Sequence, residues 1–354
     1  MPGTSLPKDY KRSHIKQTNM RVRSIIQYAK FSELSPSKFQ EILQNLHVWQ
    51  SLQTAQHIII KPNLCGGSSP HYDAGCGVWV TSQVTARIVN NLLQLKSEGL
   101  IYIVESDSTG HGYVSKKFLN TGLRDLSNLS QRVRIFDLTR SEHEMITLKD
   151  GLYFKRIDIS ELLTRGYFFI SLAKIKTHNI SHVSGVLKNQ FGCLPYMRKN
   201  TFHPNLSKVI ADVNSVIKTD LCILEAVPGM GGDGPVRGTP IQTDFMMLSN
   251  DPVAADSQMC RLLNILPHKV HHIKLAEKRG IGTADSEKIQ VINNQLASTL
   301  PHFQHVPKIQ RQFVALGLGI QRVGEWVSHL GHLIHAVKSI TDLLKFYKIF
   351  KLRR

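Results

Sequence analysis

Cysteine is scarce and never occurs in a CxxC spacing: Cys65, Cys76, Cys193, Cys222 and Cys260 are an odd set of five scattered over 354 residues. That excludes a disulfide framework and a zinc ribbon, and it fits a reducing compartment. No charge-free run reaches the roughly 18 apolar residues a membrane span needs. The cationic start, MPGTSLPKDYKRSHIKQTNMRVR, has no apolar stretch behind it. The expectation is a cytoplasmic, unprocessed chain, touching a membrane only peripherally if at all. Aromatic-plus-basic RNA motifs are also missing, so no nucleic-acid partner is expected.

Acids are few: 26 Asp and Glu stand against 44 Lys and Arg, a net charge of +18. The excess is uneven. Residues 1–23 carry six cations and one acid, and residues 301–354 carry nine and two. Basic ends on a milder middle suit an anionic surface better than a nucleic-acid groove. The chain divides into a basic N-terminal extension (1–23), an α/β core (24–300, one or two lobes) and a basic amphipathic tail (301–354).

Short runs that are apolar throughout, VRSIIQYA, HIIIKPN, IYIVESD, VRIFDL, YFFISLA, LCILEAV and DFMMLSN, read as buried strands. Helical patterns lie between several of them: residues 36–50, TSQVTARIVNNLLQLKS, LSKVIADVNSVIK and DPVAADSQMCRLLNIL. Apolar strands joined by helices predict a largely parallel or mixed sheet with helices on both faces.

Chemistry collects where these strands end. The ends carry Lys61 and Asn63; Glu105 and Asp107; Lys174, Lys176 and His178; Glu225 with a glycine loop; and Asp251 with Asp256. In open α/β sheets, ligands bind beyond the carboxyl ends of strands, and all five ends are expected to converge there. An unpaired buried ammonium costs several kcal/mol, so lysines leaving the core need acids beside them or an anionic ligand. Lys61, Lys174, Lys176 and Lys188 are candidate ligand contacts, with Glu105 as counter-ion to Lys61 or Lys174. Ser184 and Gly185 precede an apolar periodic stretch, as at a helix N-terminus that favours an anion. The loop GMGGDGPVRG is neither GxGxxG opening a helix nor a Walker loop. It either cradles an anion through Gly232 and Gly234 with Arg237 forking onto it, or its glycines serve only turns.

His178 and His182 are four apart, the spacing of a zinc pair on one helix face, but no Glu follows His178 as HExxH requires. His178 alone, between two lysines, is the candidate general acid/base, because neighbouring cations favour the neutral imidazole. A surface histidine is its alternative. Asp251 before Pro252 reads as a helix N-cap. Cys65, Cys76 and Cys193 lie in glycine-containing loops, with no known cluster spacing.

KPNL (61–64), ESDS (105–108), KIKTHNISHVSGVLKNQFG (174–192), EAVPGMGGDGPVRGTP (225–240) and SNDPVAADS (249–257), in this order, resemble the bacterial and archaeal family called domain of unknown function 362. The likeness spans about residues 55–265. Many members carry a ferredoxin-like cluster domain; its closely spaced cysteines are missing here, so that electron-transfer role does not carry over. SGVLKN is similar to the glycine-lysine stretch of lactate-racemase-like proteins, which hold a nickel-pincer nucleotide on a lysine. By that analogy the lysine is Lys188 and the metal nickel; iron, as in a redox enzyme, is the other candidate, and no metal ligands are identified.

From Ile320 to Tyr347, apolar residues recur at threes and fours, and Lys345, Lys348, Lys351, Arg353 and Arg354 gather at the end. Such a helix docks on the core, pairs with a second copy, or lies on an anionic membrane. The functional expectation is an enzyme, an oxidoreductase or isomerase, that acts on a small carboxylate or phosphate by proton, hydride or redox transfer. Its site residues are His178, Lys188 and Glu105 for chemistry, with Lys61, Asn63, Lys174, Lys176, Ser184, Gly185, Gly232, Gly234 and Arg237 for binding. A non-catalytic ligand-binding or membrane-associated accessory protein is the alternative.

Overall fold

The computed structural model describes residues 23–66, 73–108 and 112–306, together with Leu316 and Leu318. Met1–Pro307 forms one compact unit and Lys308–Arg354 another. The expected tail helix and the N-terminal extension through residue 22 lie outside the described residues.

Strands β1 (Ser24–Lys30), β2 (His57–Pro62), β3 (Leu100–Glu105) and β4 (Val133–Asp137) coincide with apolar runs of the sequence. A small hairpin, β5 (His143–Thr147) and β6 (Arg156–Ser160), follows. Next come β7 (Tyr167–His178), β8 (His182–Val183), β9 (Leu221–Gly231), β10 (Thr239–Ile241), β11 (Phe245–Ser249) and β12 (Ile289–Ile292). The main sheet runs β12-β1-β11-β9-β7-β2-β3-β4. The block β9-β7-β2-β3-β4 is parallel throughout, whereas β11 runs antiparallel to both β9 and β1.

Period-two alternation sends each strand's side chains into two separate cores. Ile58 and Ile60 of β2 enter one, Ile59 the other. Phe168, Ile170 and Leu172 of β7 divide in the same way from Phe169, Ala173 and Ile175. Helices α1 (Pro36–Asn45), α2 (Trp49–Thr54), α3 (Ser82–Leu95) and α4 (Tyr113–Asn120) cover the first face. The second is covered by α5 (Val186–Asn189), α6 (Leu206–Val216), α7 (Pro252–Leu262) and α8 (His271–Lys278). The fold is thus a mixed α/β sheet, mostly parallel, with helices on both faces. Among the described residues, no helix is long and apolar enough to cross a membrane.

Two expectations need correction. The antiparallel course of β11 sets Ser249 beside Cys222, the start of β9. Asp251 is therefore at the edge opposite the carboxyl ends of the parallel strands, and four strand ends converge rather than five. There Asp251 caps α7 as expected, accepting from Val253 N at 2.8 Å and Ala254 N at 2.9 Å. His178 and His182 do not share a helix face. They oppose each other across the β7–β8 hairpin, with His182 at φ +70°, so the chain reverses between them instead of coiling.

Candidate anion site at the strand ends

The cluster grows from Glu105, the last residue of β3. Its carboxylate accepts from Lys61 Nζ of the adjacent strand at 3.0 Å and from Ser106 N at 2.9 Å, with Lys117 Nζ of α4 at 3.6 Å. Burial pushes the carboxyl up, but Lys117, Lys61 and Lys199 outweigh it and hold it below its usual range. Lys199 has no carboxylate of its own. Its ammonium donates to Ser106 Oγ, which donates to Gly192 O. Burial, with Lys117 and Lys61 adding to it against the pull of Glu105, lowers Lys199 to about 7. Gly192 leaves room for the Lys61–Glu105 pair: a Cβ would stand 2.8 Å from Lys61 Nζ, which would have to shift.

One strand pair away, Lys174 of β7 and Glu225 of β9 are register partners. Both are fully buried, with Nζ and Oε1 2.5 Å apart. Lys174 also donates to Pro228 O at 2.7 Å, and Glu225 Oε2 accepts from Val227 N at 2.6 Å. Burial raises the Glu225 carboxyl despite the neighbouring lysine. Lys176 is equally buried, and its partners among the described residues are carbonyls, Val78 O and, at 3.3 Å, Pro235 O. Burial lowers it to about 8; Cys65 pulls it up, Lys188 and Lys174 push it down.

Lys188, on α5, links these groups. It is half-buried, makes no ion pair among the described residues, and is lowered by burial and by Lys61 against the pull of Cys65. Half-buried Cys65 feels the reverse: burial raises its thiol, yet Lys176, Lys188 and Lys117 together bring it below the ordinary value. Three imidazoles from different elements also feel the Lys188 charge. His178 is held well below its usual value by burial, then by Lys188 and Lys176. His203 is pushed down to about 4 by burial and Lys188, and His272 to about 3 by burial, Lys188, His182 and His271. His178 Nδ1 accepts from Ile180 N at 3.1 Å. A neutral ring that accepts there carries its proton on Nε2.

The sequence candidates thus separate. Lys61, Glu105, Lys174, Lys176, His178 and Lys188 join one charge network. Asn63 sits beside it, buried, with Oδ1 unpartnered among the described residues, and Ser184 Oγ is likewise buried and unpartnered there. The N-terminus of α5 already has its acceptor. Asp256 of α7 accepts from Val186 N at 2.6 Å and Leu187 N at 3.0 Å. Gly185, at φ +42°, leaves room for that carboxylate, since a Cβ would lie 2.3 Å from Asp256 Oδ1. Asp107 serves the start of α4, accepting from Gly112 N and Val114 N. The glycine loop also has a packing role. Gly232 N donates to Gln304 O at 2.6 Å, a Cβ on Gly234 would meet Thr177 O at 1.9 Å, and Arg237 is exposed. Sequence reasoning left out Lys117, Lys199, Ser106, His203 and His272, and gave Cys65 no role. Lys117 and His272 sit on ordinary amphipathic helices, and MRKN around Lys199 matches no motif.

All the lysines of the network and both of its acids lie within one family span. This chain belongs to the family described as Domain of unknown function (DUF362). The family model matches residues 58–261. A thylakoid-associated protein of Synechocystis is 21% identical over 249 residues, which cover 67% of this chain and 72% of that protein. No solved structure matches the chain. Neither comparison carries the likeness to lactate racemases. Lys188 is present as that analogy requires, but no group of three or more His, Cys, Asp or Glu side chains able to hold a metal occurs among the described residues.

Proposed function

We propose that this DUF362 protein is an enzyme that binds a small, multiply charged carboxylate or phosphate beyond the ends of β2, β3, β7 and β9. One observation carries the reading: Lys61, Lys117, Lys174, Lys176, Lys188 and Lys199 share two carboxylates, Glu105 and Glu225. Buried cations in excess of their counter-ions disfavour the empty protein. An anion seated at Lys188 offsets that cost in the bound state only, which is the thermodynamic definition of a binding site. Lysines 61 and 174 then act as neutralised supports, and Lys188 and Lys176 meet the ligand.

The enzymatic reading over simple capture rests on proton-transfer groups suited to neutral pH. Neutral His178 is a hydrogen-bond donor through Nε2, and Lys199 and Lys176, at about 7 and 8, exchange protons near neutral pH. The reaction class is proton, hydride or redox transfer next to the anionic group, within an oxidoreductase or isomerase. A second reading, a peripheral membrane accessory protein, draws on the thylakoid-associated relative and on the basic tail of the sequence. Flotation of the full chain with vesicles of anionic lipid tests that reading.

Calorimetric titration of the full chain with inorganic phosphate and with malonate tests the site. At least one is expected to bind, and Lys188→Ala to weaken it about 10- to 100-fold, the equivalent of one hydrogen bond to a charged group. Binding of neither, or equal binding by the variant, refutes the proposal.

A further inference from the structure

His272 lies outside the span matched by the family model. It is the second residue of α8, a helix packed on α6 and α7, which in turn pack on α5 with Lys188. The residue is 1% exposed, and neither Nδ1 nor Nε2 has a hydrogen-bond partner among the described residues. The charged groups around it are Lys188, His182 and His271, with no acid among them. Buried polar side chains in folded proteins are nearly always satisfied, so each orphan calls for a physical explanation. An interior that needed only bulk here is served equally by leucine, without two stranded polar atoms. A second orphan, Ser184 Oγ, also 1% exposed, stands on the segment leading into α5. Unused hydrogen-bonding capacity therefore lies on two segments, the one leading into α5 and the start of α8, where the Lys188 charge is felt; that ammonium makes no ion pair among the described residues.

We propose that His272 is a ligand-binding residue that, with Lys188 and Ser184, holds an oxyanion able both to accept and to donate hydrogen bonds, as hydrogenphosphate or a phosphomonoester does. The ammonium neutralises the charge. A neutral imidazole offers one N–H and one lone pair; the N–H donates to an unprotonated oxygen, and the other nitrogen accepts from the ligand's O–H. A bare carboxylate satisfies only the first. The inference rests on the anion-binding reading above and narrows it to phosphate chemistry.

The test uses the full chain labelled with 15N-histidine and titrated with inorganic phosphate. The His272 ring resonances, assigned by their loss in His272→Gln, are expected to shift saturably, with the dissociation constant measured by calorimetry. His272→Leu should weaken phosphate about 10- to 100-fold and malonate less. Suppose phosphate binds the wild type and Lys188→Ala weakens it, yet His272→Leu binds like the wild type and the ring signals stay still. Then His272 is no ligand contact and the anion site survives without it. Binding of neither phosphate nor malonate by the wild type removes both proposals. If His272→Leu does not fold, the ring titration of the unmodified chain decides alone.

Discussion

Lys199→Met is expected to make the protein more stable, an unusual outcome for a substitution at a buried site. The side chain is 4% exposed and competes with Lys61 and Lys117 for Glu105. Burial lowers its pKa from 10.5 to about 7. The unfolded chain therefore holds this proton across a pH range in which the folded chain has lost it. Stability then rises with pH from about 7 toward 10, by up to about 1.4 kcal/mol per unit. Near pH 7 the shift costs the folded state on the order of 3–5 kcal/mol. Methionine removes that cost and gives up one hydrogen bond to Ser106, worth about 1 kcal/mol, while Ser106 keeps Gly192 O as its acceptor. The net gain expected at pH 7 is about 2–4 kcal/mol, large against a typical total of about 5–15 kcal/mol. Urea unfolding followed by circular dichroism at pH 7 and 9.5 measures it, and the advantage of the variant should narrow at the higher pH. A variant less stable than the wild type at pH 7, or two parallel pH dependences, refutes the charge-excess argument.

Two further changes probe the supports of the site. Glu225→Gln leaves the fully buried Lys174 ammonium without its carboxylate and should cost about 3–5 kcal/mol; thermal unfolding should show most of that recovered in Lys174→Met/Glu225→Gln, and equal stability of the single variant and the wild type would deny the pair its role. Asp256 is raised by burial to about 7 despite its two N–H donors, so its own contribution to stability falls as pH rises from about 4 to 7, because the folded carboxyl keeps its proton longer than the unfolded one; it opposes the gain from the lowered imidazoles of His178, His203 and His272. Asp256→Asn should remove that opposing contribution, so that stability in urea titrations climbs more steeply with pH than in the wild type, and an unchanged slope would argue against a raised carboxyl.

The periodicity of the sequence was enough to locate the strands. VRSIIQYA, HIIIKPN, IYIVESD, VRIFDL, YFFISLA, LCILEAV and DFMMLSN correspond to β1, β2, β3, β4, β7, β9 and β11, because strands covered on both faces need apolar side chains at every position. The short edge and hairpin strands β5, β6, β8, β10 and β12 carry no such signal and went unread. Neither did periodicity reveal the course of β11, since an apolar run reads the same in either direction; its antiparallel pairing took Asp251 away from the other strand ends.

For the candidate site, local sequence determined which residue types leave the core: Lys61, Glu105, Lys174, Lys176, His178 and Lys188 all lie on or just past strand ends. Partner choice was decided only by the tertiary structure. Glu105 takes Lys61 because β2 and β3 are neighbours, Glu225 takes Lys174 through the β7–β9 register, and Asp256, carried on a helix 70 positions along the chain, occupies the α5 N-terminus. His272 and Lys199 enter through the packing of α8 and the segment before α6. Their chemistry comes from burial beside other cations, and burial is a property of the folded chain that no short stretch of sequence encodes.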